Sequence, residues 1–215
     1  MTQQPIHSRE PILTPVPIAL LHPTQITVGM REVAEKRQQW RERGDRDGRE
    51  FLGRHMIPVL LGPKRRHYVI DHHHMVRALE EEGVKDILVT IVADLHGLQK
   101  SSFWVVLDHH GWCHPYDASG RRRDFDDIPT TISDLVDDPY RSLAGQLRLA
   151  GGFAKDTTPF SEFIWADFLR IRIKPKDIRA DFAAALATAL ELAKSKDADY
   201  LPGWCGPSRR SRLTP

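Results

Sequence analysis

The stretch "HYVIDHHHMVRALEEEG", residues 67–83, changes its hydrophobic period midway. "HYVI" reads as a strand. From His73 the apolar Val76, Ala78 and Leu79 recur at helical spacing, until Gly83 ends the run. The β-branched "ILVTIVADL" follows almost at once and reads as a buried strand. Strand, helix and strand in so short a span form a βαβ-like unit, with "DHHH" at its first corner.

The rest of the chain sorts around this unit. "VPIALLHPTQI" predicts a short strand and a turn. "MREVAEKRQQWRERG" places Val33, Ala34, Arg37 and Trp40 at helical spacing and stops at Gly44, before a charged loop "GDRDGRE". "MIPVLLG" and "HYVID" are strands joined by the "GPKRR" turn. "FWVVLD" reads as a further strand, leading to a "WCHPYDASGRR" hairpin that turns at Asp117–Gly120. From about Ile128 the pattern becomes helical. Asp138 and Pro139 cap one helix that Gly151 stops; Thr158 and Pro159 repeat the device; residues 177–196 make a third, alanine-rich helix. The fold class is α+β: a small mixed sheet with helices, then a mainly helical C-terminal segment. We place a flexible segment at 1–17, the α+β domain at 18–124, the helical segment packed on it at 125–205 and a flexible tail at 206–215.

Composition narrows the function. A chain of 215 residues with a formal charge of +2 carries too little excess charge to argue for nucleic acid on that ground. Its basic runs, "KRR" at 64–66 and "RRR" at 121–123, read as solvated loops. Cys113 and Cys205 form no CxxC pair, no secretory signal is visible, and no apolar run is long enough for a bilayer. The expectation is a reduced, cytoplasmic protein with no membrane partner.

The corner carries the chemistry. A helix N-terminus offers unpaired N–H groups and a partial positive charge. Imidazoles there add donors, and Arg77, a turn after His73, adds a cation; together they suit a phosphate. Asp71 is free to hold a histidine tautomer, bind Mg²⁺ or accept a proton. The competing account is that Asp71 caps the helix and the histidines are exposed.

"VIDHHHMVRALEEEG" resembles the ParB-like family, which shares a fold with sulfiredoxin and some free-serine kinases. The family's stretch is a strand ending I-D-G-H-H-R, then a helix running L-R-A-L and a glycine. Ile70, Asp71, His73, His74, Arg77, Ala78, Leu79 and Gly83 match it, and "IPVLLG" and "ILVTIVAD" resemble its flanking strands. The resemblance covers roughly residues 18–96. His72 stands where the family has glycine, and Met75 where it has arginine, a loss that Arg77 offsets only in part. The resemblance implies phosphate binding by His72, His73, His74 and Arg77, from ATP, ADP or CTP with Mg²⁺ on Asp71. Its kinase-like members use a glutamate of the first helix as base, for which Glu32 is the counterpart and Glu35 the rival.

Other clusters are weaker. Asp108, His109, His110, Cys113 and His114 are metal-capable but lack a zinc-site spacing. Asp137, Tyr140 and Arg141 go unexplained by capping, and one of them is a candidate pocket residue. Glu162, Asp167 and Arg170 are polar positions on an otherwise core-packing helix. The leading expectation is an enzyme that hydrolyses or transfers a phosphoryl group, nucleotide-dependent, with Glu32, Asp71, His73 and His74 catalytic. The alternatives are a ParB-like nuclease, a nucleotide-gated DNA-binding partition module, and a metal-dependent hydrolase using the histidine clusters. The partner expected is a nucleotide or phosphorylated small molecule. DNA is disfavoured because no basic recognition helix is evident.

Overall fold

The computed structural model describes residues 14–54 and 56–207, so the expected disorder of residues 1–13 and 208–215 lies outside the described residues. The fold is α+β, as the sequence predicts. Strands β1 (Thr14–Pro17), β2 (Leu21–Pro23), β4 (Ile57–Gly62), β5 (Arg66–Val69) and β6 (Asp86–Asp94) form one mixed sheet, in the order β1-β6-β4-β5-β2. Residues 14–17, expected in the N-terminal lead-in, pair with β6 instead. The short strands β3 (Thr27–Val28) and β7 (Val136–Asp137) pair in parallel apart from that sheet.

Helix α2 (His73–Glu81) connects β5 to β6. These two strands are not neighbours: β4 lies between them, antiparallel to β5 and parallel to β6. The expected βαβ unit is therefore a hairpin whose second strand crosses over through α2. Alternation along β4 explains its central place. Ile57 and Val59 enter the core beneath α1 (Met30–Arg54) and α2, while Leu60 enters the core on the opposite face.

That second face is closed by α3 (Lys100–His109), where the sequence suggested a strand. Phe103, Trp104 and Leu107 are buried there, and Val105 is exposed. The spacing is one face of a helix, and packing on Tyr68 (ring centroids 4.6 Å from Phe103) overrides the strand preference of "FWVVLD". Helix α1 likewise runs past Gly44 through the charged stretch to Arg54.

The C-terminal helices form a third core around Leu143, Leu147, Trp165 and Leu169. Asp138 caps α4 (Pro139–Leu149) as expected, accepting from the Tyr140 N–H at 2.9 Å. At α5 (Ser161–Arg170) the expected Thr158 cap is absent: Phe160 precedes the helix in a left-handed conformation, and Asp156 accepts from the Thr158 N–H. The third helix is two, α6 (Pro175–Ala180) and α7 (Phe182–Ala193), divided at Asp181, whose side chain caps α7. Among the described residues, no helix is long and apolar enough to cross a membrane.

Asp138 has a second task, because the same buried carboxylate holds Arg170 at 2.8 Å. Breaking a buried pair by removing one partner costs about 3–5 kcal/mol. Asp138→Ala should therefore lower stability by about that amount in urea titration, well beyond the roughly 1 kcal/mol of an ordinary cap.

Candidate active site

The corner after β5 opens into a cleft of about 740 Å³. One wall is the α2 N-terminus from Asp71 to Met75; the facing wall comes from α1, α4 and the start of α5. His72 takes φ 65°, the left-handed region, which accounts for a glycine at this place in the resembling motif. Its N–H donates to Asp71 Oδ1 at 2.6 Å. The N–H groups of His73, His74 and Met75 precede the first helical bond, made by Val76 to the His72 carbonyl.

The histidine side chains do not point at a ligand as expected. His73 and His74 are buried and serve as acceptors: the Thr24 N–H donates to His73 Nε2 at 3.2 Å, and the Gly29 N–H to His74 Nε2 at 2.9 Å. Burial lowers the pKa of His73 to about 4, against a raising contribution from Asp71, and holds His74 well below its ordinary value. Both rings are neutral, so the 3.5 Å approach of His74 Nε2 to Glu32 Oε2 is not an ion pair. His72 is the exposed member of the three.

Arg77, expected to grip phosphate, is committed elsewhere. Its guanidinium donates to Glu81 (2.7 Å) and to the carbonyls of Ile132 (3.1 Å) and Ser133 (2.5 Å), outside the cleft lining. The buried cation in the cleft is Arg141. It pairs with Glu162, lies 3.7 Å from Glu32 and sits over the Phe163 ring at 5.2 Å. Its Nε and Nη1 have no hydrogen-bond partner among the described residues. Glu162 also accepts from Arg148 at 2.6 Å, and Lys36 and Lys155 complete the basic lining.

Glu32 lines the cleft, whereas Glu35 is held by Gln146 Nε2 at 2.7 Å and does not. Burial raises the Glu32 pKa above the ordinary carboxylate value; Arg141 opposes that shift and Glu162 adds to it. Asp137 caps α1, accepting from the Met30 N–H at 2.9 Å, and the Tyr140 hydroxyl donates to the Ile173 carbonyl. Arg170 is tied to Asp138 and Asp167. Sequence reasoning left Arg141 as one of three open candidates. What selects it is tertiary contact with Glu32, more than a hundred positions away in the chain, and no local signal carries that.

The second histidine cluster disperses. Asp108 pairs with Arg122, His110 stacks on Trp112, burial pushes the Cys113 thiol up to about 12, and His114 packs on Phe163 with its pKa lowered by burial to about 3. Among the described residues no three His, Cys, Asp or Glu side chains are grouped to hold a metal.

The family described as "Putative ParB-like nuclease" matches residues 14–171. The crystal structure of protein Atu1540 from Agrobacterium tumefaciens is 55% identical to this chain, covers 92% of it and 98% of its own length, and superposes with a TM-score of 0.87. No curated protein matches. Fold, corner motif and family match agree: the chain belongs to the ParB-like nuclease family.

Removing either inward-facing imidazole strands a buried N–H. His73→Ala and His74→Ala should each lower stability by about 1–3 kcal/mol from the lost acceptor alone. The wild type should also be acid-sensitive. A histidine whose folded pKa lies below its unfolded value contributes fully above about pH 6.5, and that contribution falls away towards the folded pKa. His73 alone should remove about 3 kcal/mol between pH 7 and pH 4, read as a falling urea midpoint.

Proposed function

We propose that the cleft is the active site of an enzyme acting on a phosphoester or phosphoanhydride, by hydrolysis or phosphoryl transfer. The observation that carries this reading is Arg141: a buried guanidinium with Nε and Nη1 unbonded, in a cleft onto which a helix N-terminus opens. Such N–H groups are costly to bury unpaired, and anionic oxygens are the acceptors that suit them. The backbone N–H groups of His73, His74 and Met75 supply the second set of donors. Lys36 and Lys155 line the same cleft and can pair with further anionic oxygens.

Glu32 is the base. Its raised pKa brings it nearer neutral pH, where a carboxylate accepts a proton from an attacking water or hydroxyl more readily. His73 and His74 act as positioning residues, since their rings fix the Thr24–Gly29 segment that leads into α1. Asp71 spends Oδ1 on the His72 N–H and keeps its second oxygen for Mg²⁺ accompanying ATP, ADP or CTP. One carboxylate fits that ion, which keeps several waters and leans on phosphate oxygens; bound there, it would neutralise developing charge on them. The same parts suffice for phosphodiester cleavage, the activity in the family's description, because phosphoryl transfer runs on positioning and charge rather than a covalent nucleophile.

A thermal-shift panel of nucleotides and phosphodiesters with Mg²⁺ tests the binding half: a ligand of the native state raises Tm, and a flat panel would sink the reading. Glu32→Gln tests the chemistry. Turnover should fall by roughly 10²–10⁴ with affinity nearly unchanged, and the acid limb of kcat/KM, placed above the ordinary glutamate pKa, should vanish with it. Asp71→Asn should instead lower affinity for the Mg²⁺–nucleotide complex and turnover together; wild-type behaviour would remove Asp71 from the metal.

A further inference from the structure

The β4–β5 connection is a tight turn in which the Arg66 N–H donates to the Pro63 carbonyl. Both central residues, Lys64 (φ 60°) and Arg65 (φ 57°), lie in the left-handed region. This is the type I′ arrangement, which Asn-Gly occupies with least strain. Lys64 and Arg65 are exposed and make no hydrogen bond, ion pair or ring contact among the described residues, so neither packing nor turn shape calls for them. What they add to the turn is charge.

That charge is not ion-paired among the described residues. Arg66 follows, also exposed and without an ion pair among the described residues. Asp94 senses Arg65, but its carboxylate is bonded to His96 at 2.6 Å. The other basic run differs: Arg122 pairs with Asp108 and Arg123 with Asp127 and Asp117. Gly62 fixes the base of the turn, where a Cβ would meet the Tyr68 ring at 2.6 Å. Three consecutive unpaired cations therefore stand on a rigid support.

We infer that this turn is a contact surface for the phosphate backbone of a nucleic acid. A membrane is the poorer fit, since the exposed large apolar residue beside it in strand register is the single Leu20, too little to insert. The turn and the Asp71 corner lie at opposite ends of β5, roughly 16 Å apart at about 3.3 Å per residue. A nucleic-acid backbone, with phosphates repeating along the strand, is long enough to reach both. The inference does not depend on the chemistry proposed for the cleft.

The test measures affinity for a short DNA duplex from about 50 to 200 mM salt. Each phosphate contact contributes about −0.9 to the slope of log K against log salt, so Lys64→Asn/Arg65→Gly should make it shallower by about 1.8. Because Asn-Gly suits the turn, that variant should melt at or above the wild-type Tm, which separates lost contact from lost fold. Arg122→Ala, from the other run and paired with Asp108, should leave the slope unchanged. Equal slopes for wild type and double variant would overturn the inference, as would wild type that ignores the duplex at 50 mM salt. Binding to phosphatidylserine vesicles but not to the duplex would reassign the turn to a membrane and overturn it too.

Discussion

Two adjacent neutral imidazoles hold the centre of this molecule. His73 and His74 reach different points of the segment between β2 and α1, one accepting the Thr24 N–H and the other the Gly29 N–H. Neither could do so protonated, and burial keeps both unprotonated. The consequences run outward. With Gly29 fixed, α1 starts at Met30 under the Asp137 cap, and Glu32 arrives beside His74. A Cβ on Gly29 would meet the Ser142 N at 2.8 Å, so this glycine is also where α4 comes close enough to bring Arg141 to Glu32.

This explains why the corner was legible as a site while the work of its side chains was not. Asp71, His73 and His74 stand out in the sequence because polar residues interrupt an apolar strand. The same pattern serves an outward anion grip or an inward pair of acceptors. Only the Thr24 and Gly29 backbones, more than forty positions earlier, decide between them. Local chemistry was readable where it was self-contained, as at the Asp138–Pro139 cap. It failed where packing decides: "FWVVLD" has strand-forming residues, but Phe103 and Leu107 share a helical face against Tyr68. The division at Asp181 was likewise hidden by an alanine-rich run that favours helix on both sides.

The cleft is close to self-neutralised, and that balance has chemical content. Glu162 bridges Arg141 and Arg148, while Arg141 also faces Glu32 at a distance too long for a hydrogen bond. The guanidinium is thus anchored on one side and unsatisfied on the other. On the function proposed above, an anion beside it would supply the missing acceptor, and its negative charge would raise the proton affinity of Glu32 further. Glu32 and Glu162 are linked through one arginine, and that arginine comes from α4 rather than from the sheet and corner that carry the family motif.

The two left-handed helix leads complete the geometry. His72 precedes α2 and Phe160 precedes α5, and neither is glycine, at a cost of about 1–2 kcal/mol each. Both helices begin on the cleft, residues 72–75 on one side and 160–163 on the other. A left-handed residue reverses the chain sharply, which lets each helix start at the cleft wall instead of approaching it side-on. Both ends bring the positive end of a helix dipole; α2 also leaves the N–H groups of His73, His74 and Met75 ahead of its first helical bond, whereas the Ser161 and Phe163 N–H groups at α5 already donate to the Thr158 and Phe160 carbonyls. The strained residues and Arg141, with its Nε and Nη1 unbonded, therefore converge on the same volume.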